Sequence, residues 1–194
     1  TSCCAAWNEL VKKHLPEIKP YVSDAHTPLY YTAEIVKKEH PNAQTVFISP
    51  CFAKRKEALD NSNVNNVLNF EELGAIFIAM GIEVDACESN EYTYKSSKEA
   101  RDFPLSGGVA RAVQAAWKGD PEVLKPAMIN GLNKATVHNL KMYAQTGKCP
   151  LGNLIEVMSC EGGCIAGNAG LNTVKMALKK VTDYSAQSYS LKDK

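Results

Sequence analysis

The placement of the cysteines is the feature that most constrains the fold of this chain. They form three groups: the pair Cys3-Cys4, the single Cys51, and the pair in Cys160-x-x-x-Cys164. Thiolates are the ligands that iron–sulfur clusters and zinc prefer in proteins. The groups lie far apart in sequence, so only the fold can bring them together. We expect it to bring them to one inorganic centre.

Cysteine content separates a metal-binding chain from a disulfide-stabilised one. Seven cysteines in 194 residues fall below the roughly 8–10% that marks a disulfide scaffold. The number is odd, and no signal peptide is evident in the sequence. We therefore expect reduced thiols in a cytoplasmic protein. The start on Thr1-Ser2, without a methionine, favours a fragment or a processed chain.

The charge balance excludes two classes of partner. Lys and Arg number 22 and Asp and Glu number 21, giving a formal net charge of +1. Such a balance offers no basic surface for nucleic acid and no polybasic patch for a membrane. The most apolar run, 73–82, is far shorter than the roughly 20 residues of a membrane-spanning helix.

The order of periodic segments predicts an α/β fold with a short, mostly parallel sheet flanked by helices. Helices are expected over 6–15, 28–40, 70–80, 106–117, 132–146 and 172–180. Strands are expected over 44–49 and 154–158, with a further short strand over 81–87. Thr27 and Ser106 are the expected N-caps of their helices. Residues 181–194 are expected to form a polar, frayed C-terminal tail.

Two of the cysteine loops directly follow predicted strands. The run QTVFIS leads into Pro50-Cys51, and the run LIEVM leads into Ser159-Cys160. Ligand sites in parallel sheets lie beyond the carboxyl ends of the strands. Both loops are therefore predicted to open on one crevice.

Glycine next to the cysteines favours a bulky cluster over a single ion. Glu161-Gly162-Gly163 lets the backbone approach such a cluster and donate N–H groups to its sulfurs. A structural zinc site would more typically use two close C-x-x-C pairs, which this sequence lacks. Buried structural thiols are the alternative for any single cysteine, and Cys87 and Cys149 are interpreted as spare thiols.

Three motifs carry a resemblance to one protein family. Residues 1–7 read TSCCAAW, residues 50–57 read PCFAKRKE, and residues 156–164 read EVMSCEGGC. They resemble the TSCCPxW, PCxxKxxE and ExMxCxxGC signatures of the iron-only (FeFe) hydrogenases, in the family's order. The resemblance implies that residues 1–180 form the second half of a hydrogenase catalytic domain. It also implies a part in the reversible oxidation of dihydrogen to protons and electrons.

The resemblance implies a cofactor as well. The family binds the H-cluster, a 4Fe–4S cluster joined through a cysteine to a di-iron subcluster that carries CO, cyanide and a bridging dithiolate. By position in the motifs, the ligands of the 4Fe–4S cluster would be Cys4, Cys51, Cys160 and Cys164. Cys164 would also bridge to the di-iron subcluster.

Further roles follow from the same resemblance. Cys3 would pass protons to the dithiolate, and Glu57 would be a further proton-relay carboxylate. Lys54 would donate a hydrogen bond to a cyanide, as a buried cation facing an anion should. The segment FPLSGGV, residues 103–109, resembles the family's glycine-rich segment near a cyanide. The residues implied to contact the cofactor are Lys54, Phe103, Ser106 and Met158.

Three departures from the family pattern leave alternatives open. Ala5 stands where the signature has proline, Ser49 where methionine is usual, and residues 165–170 read IAGNAG instead of a GGGQ run. Such changes alter the surroundings of the ligands, which tune redox potential and proton access. A hydrogen sensor or a divergent hydrogenase of low turnover is one alternative. An assembly-type relative that binds only a 4Fe–4S cluster is another, although the residues implied beside the di-iron subcluster argue against it.

The implied partners are those that half of a catalytic domain would need. They are the upstream half of that domain, accessory iron–sulfur domains, an electron carrier such as ferredoxin, and maturation proteins. By itself, the 194-residue chain is expected to be inactive.

Overall fold

Two small parallel sheets organise the chain in the computed structural model, which describes residues 1–89 and 95–193. Strand β1 (Val46–Ile48) pairs with β2 (Asn66–Leu68), and β3 (Pro126–Asn130) pairs with β4 (Leu154–Met158). With helices around both sheets, this arrangement confirms the predicted α/β class and the parallel pairing.

Each parallel pair is joined by a helical crossover, as parallel strands require. Helix α3 (Ala53–Leu59) connects β1 to β2, and helix α7 (Lys134–Thr146) connects β3 to β4. Further α-helices are α1 (Ala5–His14), α2 (Pro28–Glu39), α4 (Phe70–Ala79), α5 (Lys98–Arg101), α6 (Gly108–Ala116) and α8 (Val174–Ser185). Short 3₁₀ helices cover Pro16–Tyr21, Val84–Ala86, Cys164–Ala166 and Leu191–Asp193.

Local signals explain the helix boundaries that the sequence predicts well. The Thr27 side chain caps α2, and Pro28 occupies its first helical position. Asn69 and Glu72 form a reciprocal capping box at the start of α4. Helix α7 ends at Gly147, whose φ of 65° lies in the left-handed region that favours glycine.

Two local predictions are wrong. The segment 81–87 is not a strand, because it is exposed, pairs with no described strand and contains the 3₁₀ turn Val84–Ala86. Ser106 is not the N-cap of α6, since Gly107 holds that position with a φ of 81°. The cause lies outside the helix: the buried carboxylate of Glu156 accepts hydrogen bonds from its first turn and replaces a local cap.

The structure also contains elements that the sequence does not predict, namely α3, α5, β2 and β3. Helix α8 runs from Val174 to Ser185 instead of ending at residue 180, and Ser185 is fully buried. The first residues of the expected frayed tail, 181–185, are therefore helical.

The main core lies between α1, α7 and the β3–β4 sheet. Its buried residues are Trp7, Val11, Leu15, Ile18, Ile129, Leu140 and Val157. Trp7 is 2% exposed, and truncating such a buried aromatic to alanine typically costs about 3–5 kcal/mol. Cys4 packs against this core, so tertiary packing holds the first cysteine pair at the start of α1.

A smaller core joins α2 to the β1–β2 sheet. Leu29, Ala33 and Val64 are its buried residues, and Phe47 and Val67 pack against them. Among the described helices, none is long and apolar enough to cross a membrane.

Candidate functional site

Each cysteine group lies at the end of a secondary-structure element. Cys4 is the N-cap residue of α1, and Cys51 lies between the end of β1 and the start of α3. Cys160 follows β4, and Cys164 begins a 3₁₀ turn. The two strand-end loops expected from the sequence are therefore present.

Backbone contacts join the Cys51 loop to the loop that follows Cys164. The Pro50 carbonyl accepts a hydrogen bond from the Ala169 N–H at 3.0 Å. A Cβ at Gly167 would lie 2.3 Å from the same carbonyl oxygen, so this approach requires glycine. The two loops meet backbone to backbone.

The N-terminal segment lies along the edge of β4 that β3 does not pair with. The Thr1 ammonium group donates to the Ile155 carbonyl at 2.8 Å, and the Val157 N–H donates to the Thr1 hydroxyl at 3.4 Å. These bonds place the first cysteine pair beside the strand that leads to the third cysteine group.

Neighbouring thiols contribute to the raised pKa values of Cys160 and Cys164. Burial raises the pKa of Cys164 to about 12, and the charges of Cys4, Cys3 and Cys51 contribute to the rise. Burial also raises the pKa of Cys160, and the charges of Cys51 and Cys4 add to that shift. Because such effects weaken with distance, the four predicted ligands lie in one region.

The donor set suits a cluster better than a single ion. Within residues 1–89 and 95–193, no three His, Cys, Asp or Glu side chains come together closely enough to hold one metal ion. Zinc would need its thiolate sulfurs about 2.3 Å from one centre, whereas an iron–sulfur cluster spreads its cysteine ligands around a larger core. Four cysteines are the ligand set that a 4Fe–4S cluster uses, and this is the donor set predicted from the sequence.

Lys54 places a buried positive charge beside these thiols. It is 9% exposed, and its ammonium group opposes the effect of burial on the pKa of Cys164. The Lys54 Nζ donates to Glu57 Oε2 at 2.6 Å, and the Thr27 hydroxyl donates to Glu57 Oε1. An ammonium has three N–H donors, so Lys54 can serve Glu57 and a further acceptor at once.

The Ser106 hydroxyl is buried and has no hydrogen-bond partner in the described part of the chain. The backbone N–H of Ser106 donates to the Gly162 carbonyl at 3.2 Å, and Leu105 forms a β-bridge with Gly163. A buried hydroxyl without a partner costs about 1–3 kcal/mol. A bound group with a lone pair, such as the expected cyanide, would accept a hydrogen bond from this hydroxyl.

Glu156 is the first residue of the third motif, but the motif does not indicate its role in the site. It is 1% exposed, and its carboxylate accepts the Gly107 and Ala110 N–H groups at 2.7 Å each. An anion at this end of α6 is stabilised by the helix dipole. The available signal is one acidic residue in the apolar run LIEVM, since acidic residues are rarely buried without partners.

Two cavities separate the remaining predicted site residues. Cys3 and Phe103 line a largely apolar cavity of about 1270 Å³, while Glu57 lines a second cavity of about 630 Å³. Burial raises the pKa of the Cys3 thiol, which keeps it protonated at neutral pH. Met158 lies 2% exposed at the end of β4. Of these two cavities, Cys3 lines one and Glu57 lines the other.

The two spare thiols take no part in this arrangement. Cys87 is exposed, and Cys149 lines the larger cavity. Neither affects the pKa of Cys160 or Cys164. All seven thiols are free, in keeping with the expectation of reduced cysteines.

Comparisons of the sequence with known proteins agree with the motifs. A family model described as "Iron only hydrogenase large subunit, C-terminal domain" matches residues 1–168. The periplasmic Fe hydrogenase large subunit of Nitratidesulfovibrio vulgaris is 26% identical over 211 residues, which cover 86% of this chain and 50% of that protein. Iron hydrogenase 1 of Clostridium pasteurianum is 24% identical over 224 residues, with 93% and 39% covered. The chain thus spans half or less of the length of these relatives.

Solved structures share the fold. A structure of HydA(deltaEFG), described as revealing stepwise FeFe-hydrogenase H-cluster assembly, aligns with a TM-score of 0.68 and 18% identity, over 100% of this chain and 66% of that chain. A variant of the FeFe-hydrogenase HydA1 from Chlamydomonas reinhardtii aligns with a TM-score of 0.67 and 19% identity, over 100% and 66%. These alignments confirm the predicted fold class.

Proposed function

Since the chain belongs to the C-terminal domain family of the iron-only hydrogenase large subunit, we propose that it is the cluster-ligating part of an FeFe hydrogenase. The reaction is the reversible oxidation of dihydrogen to protons and electrons. The supporting observation is that four free thiols occur with a buried Lys54 ammonium and a Ser106 hydroxyl that has no hydrogen-bond partner among the described residues. A plain 4Fe–4S site needs neither group, but both suit a cofactor with small anionic ligands.

The proposed cofactor is the H-cluster, and its ligands are Cys4, Cys51, Cys160 and Cys164. When bound, the H-cluster supplies the redox chemistry that side chains lack. Cys164 would also join the 4Fe–4S cluster to the di-iron subcluster with its CO, cyanide and dithiolate. Ligation requires thiolates, so loading releases protons from these thiols.

Four other side chains would surround the di-iron subcluster and its small ligands. Lys54 Nζ would donate to one cyanide while Glu57 balances its charge, and the Ser106 hydroxyl would donate to another. Met158, buried at the end of β4, would pack beside the di-iron subcluster and exclude water. Phe103 would form the wall between the cofactor and the larger cavity.

Cys3 would move protons between the cofactor and the protein. Its thiol adjoins the ligand Cys4, so the backbone holds it near the cluster without making it a ligand. A protonated thiol can donate a proton and its thiolate can take one back. Glu57 would be a further relay carboxylate, with solvent reached through its own cavity.

A hydrogen-sensing protein is the second candidate function. Ser49 is buried at the end of β1, where it stands in place of the usual methionine. A polar residue beside the Cys51 loop would alter the surroundings that tune the cluster. A relative that binds only a 4Fe–4S cluster would need neither a buried Lys54 nor an unpartnered Ser106.

The partners we propose follow from the length of the chain relative to its relatives. They are the upstream half of the catalytic domain, accessory iron–sulfur domains, a carrier such as ferredoxin, and maturation proteins. A cytoplasmic location is part of the same proposal, although one relative is named as periplasmic.

Infrared spectroscopy of the complete protein, produced with its maturation proteins, tests the proposal. We expect stretching bands from CO and cyanide, together with iron and sulfide from the 4Fe–4S cluster. Iron and sulfide without those bands would favour the assembly-type relative. Bands without hydrogen turnover would favour the sensor.

A further inference from the structure

The C-terminal residues of the described chain fold back onto helix α5. The Glu99 carboxylate, 9% exposed, accepts the Ser190 hydroxyl at 2.5 Å and the Leu191 N–H at 3.0 Å. The Lys98 N–H donates to the Tyr189 carbonyl at 2.8 Å. These partners lie beyond residue 168, where the match to the family model ends.

A second anchor lies at Arg101, the last residue of α5. The Arg101 guanidinium donates to the Tyr184 carbonyl at 3.1 Å and stacks on the Tyr184 ring, 4.0 Å from its centroid. The next residue, Ser185, is fully buried. Residues 184–193, called the C-terminal strap below, are thus fixed to α5 at both ends.

Helix α5 leads directly into the segment that carries Ser106. The Asp102 N–H donates to the Lys98 carbonyl, and the Leu105 N–H donates to the Asp102 carbonyl, both at 2.9 Å. A Cβ at Gly108 would lie 2.0 Å from the Asp102 carbonyl oxygen. The end of α5 and the start of α6 are therefore in direct contact, and a shift of α5 moves Ser106.

The helix that carries the strap also contacts the cysteine loop. A Cβ at Gly162 would lie 3.1 Å from Cγ1 of Val174, in the first turn of α8. Gly162 is the residue whose carbonyl accepts the Ser106 N–H. One continuous element, from Val174 to the strap, thus contacts both the cysteine loop and α5.

We propose that Glu99 is a positioning residue: by anchoring the C-terminal strap to α5, it fixes the Ser106 hydroxyl against the cysteine loop. The role of Ser106 toward a cyanide rests on the proposed function, whereas the anchoring does not. The Glu99 carboxylate accepts two hydrogen bonds from the strap, and such charge-assisted hydrogen bonds are stronger than neutral ones. Hydrogen bonds from Ser190 and then from Leu191 lower the pKa of Glu99 to about 2, so it stays ionised.

Amide hydrogen exchange on the complete protein without cofactor tests the anchoring. Glu99→Gln should speed exchange at the amides of 103–108 by about tenfold or more, because local opening sets their protection. Ser190→Ala, which removes one donor and no charge, should give a smaller increase there. The matched control is Glu122→Gln, since Glu122 is exposed, and peptides from α2 serve as an internal reference. Unchanged exchange at 103–108 in both variants would overturn the proposal.

The positioning role is tested on the cofactor-loaded protein. Measured well below the melting temperature of the variant, Glu99→Gln should shift or broaden a cyanide stretching band, whereas Glu122→Gln should leave the bands unchanged. Cyanide bands identical to the parent's would show that Glu99 does not position Ser106. If the parent itself lacks CO and cyanide bands, the proposed function fails, and the exchange result still decides the anchoring.

Discussion

The ammonium group of Lys54 donates to the carboxylate of Glu57 across 2.6 Å, with both side chains largely inside the protein. The pair lies in α3, three residues apart, so one helix supplies both charges. Thr27 holds the other carboxylate oxygen. This geometry aims a fixed positive charge at the thiols without leaving it uncompensated.

Breaking this pair should destabilise the protein. Glu57→Gln leaves a buried ammonium without its counter-charge, which should lower the free energy of unfolding by about 3 kcal/mol. Replacing both residues, Lys54→Met with Glu57→Leu, should cost less than the single change. Urea unfolding of the cofactor-free protein measures all of these variants.

The exposed pair Lys179–Asp183 is the matched control for that experiment. Its side chains are 79% and 61% exposed, so Asp183→Asn should leave stability within error of the parent. If Glu57→Gln and Asp183→Asn lowered the free energy of unfolding equally, burial would not make the Lys54–Glu57 pair more important for stability than the exposed pair.

Loss of one thiol should abolish cluster binding. Cys51→Ala leaves an iron without its ligand, so iron and sulfide per protein should fall to near zero after reconstitution. Cys87→Ala removes an exposed thiol and should leave both unchanged. Full cluster content in Cys51→Ala would remove Cys51 from the ligand set.

The Cys3 thiol should control turnover without controlling cluster content. In the complete enzyme, Cys3→Ala should keep the infrared bands and reduce hydrogen turnover by about 10²–10⁴-fold, the range for a positioned acid–base group. Cys3→Asp should restore part of the rate because a carboxyl also carries protons. A Cys3→Ala enzyme as fast as the parent would rule out the relay role.

Gly167 should tolerate no side chain. Gly167→Ala places a Cβ 2.3 Å from the Pro50 carbonyl oxygen, and the resulting shift should cost about 2 kcal/mol and reduce cluster content. Gly74→Ala is the control: it meets open space in the middle of α4 and should stabilise by up to about 1 kcal/mol. Opposite signs in thermal unfolding are expected, and similar signs would contradict the loop contact.

Glu99 should make stability depend on pH in the acid range. Hydrogen bonds from Ser190 and then Leu191 lower its pKa from 4.5 to about 2. A lowered carboxyl pKa adds stability that is present above the unfolded value and lost as pH falls through the folded value, here between about pH 5 and pH 2. Urea unfolding at a series of pH values should show a shallower acid decline in Glu99→Gln. A decline as steep as the parent's would contradict the assignment.

Local signals in the sequence account for the elements that could be predicted. Thr27 and Pro28 begin α2, Gly147 ends α7, and the apolar run of β4 is long enough to be recognised. Strand β3 could not be found in this way. It begins with Pro126 and contains one buried residue, Ile129, so its extended form depends on pairing with β4.

In the candidate site too, features fixed by local segments could be predicted, whereas features fixed by distant contacts could not. The motifs single out the predicted ligand thiols and Lys54, because each motif is a local segment at its own strand or helix end. That these thiols bind a cluster stays a prediction. The start of α6 is set by Glu156, about 50 residues further along the chain. Capping signals next to α6 therefore do not reveal where the helix begins. The strap on Glu99 is likewise a contact between distant segments.

The two hydrogen bonds of Glu156 also impose an order on assembly. Until α6 docks against β4, the first turn of α6 has no acceptor and the glutamate stays in water, because its partners come from another element. The pocket wall that carries Ser106 therefore does not exist in a partly folded chain. We therefore expect the proposed cofactor to bind only after these two elements have docked.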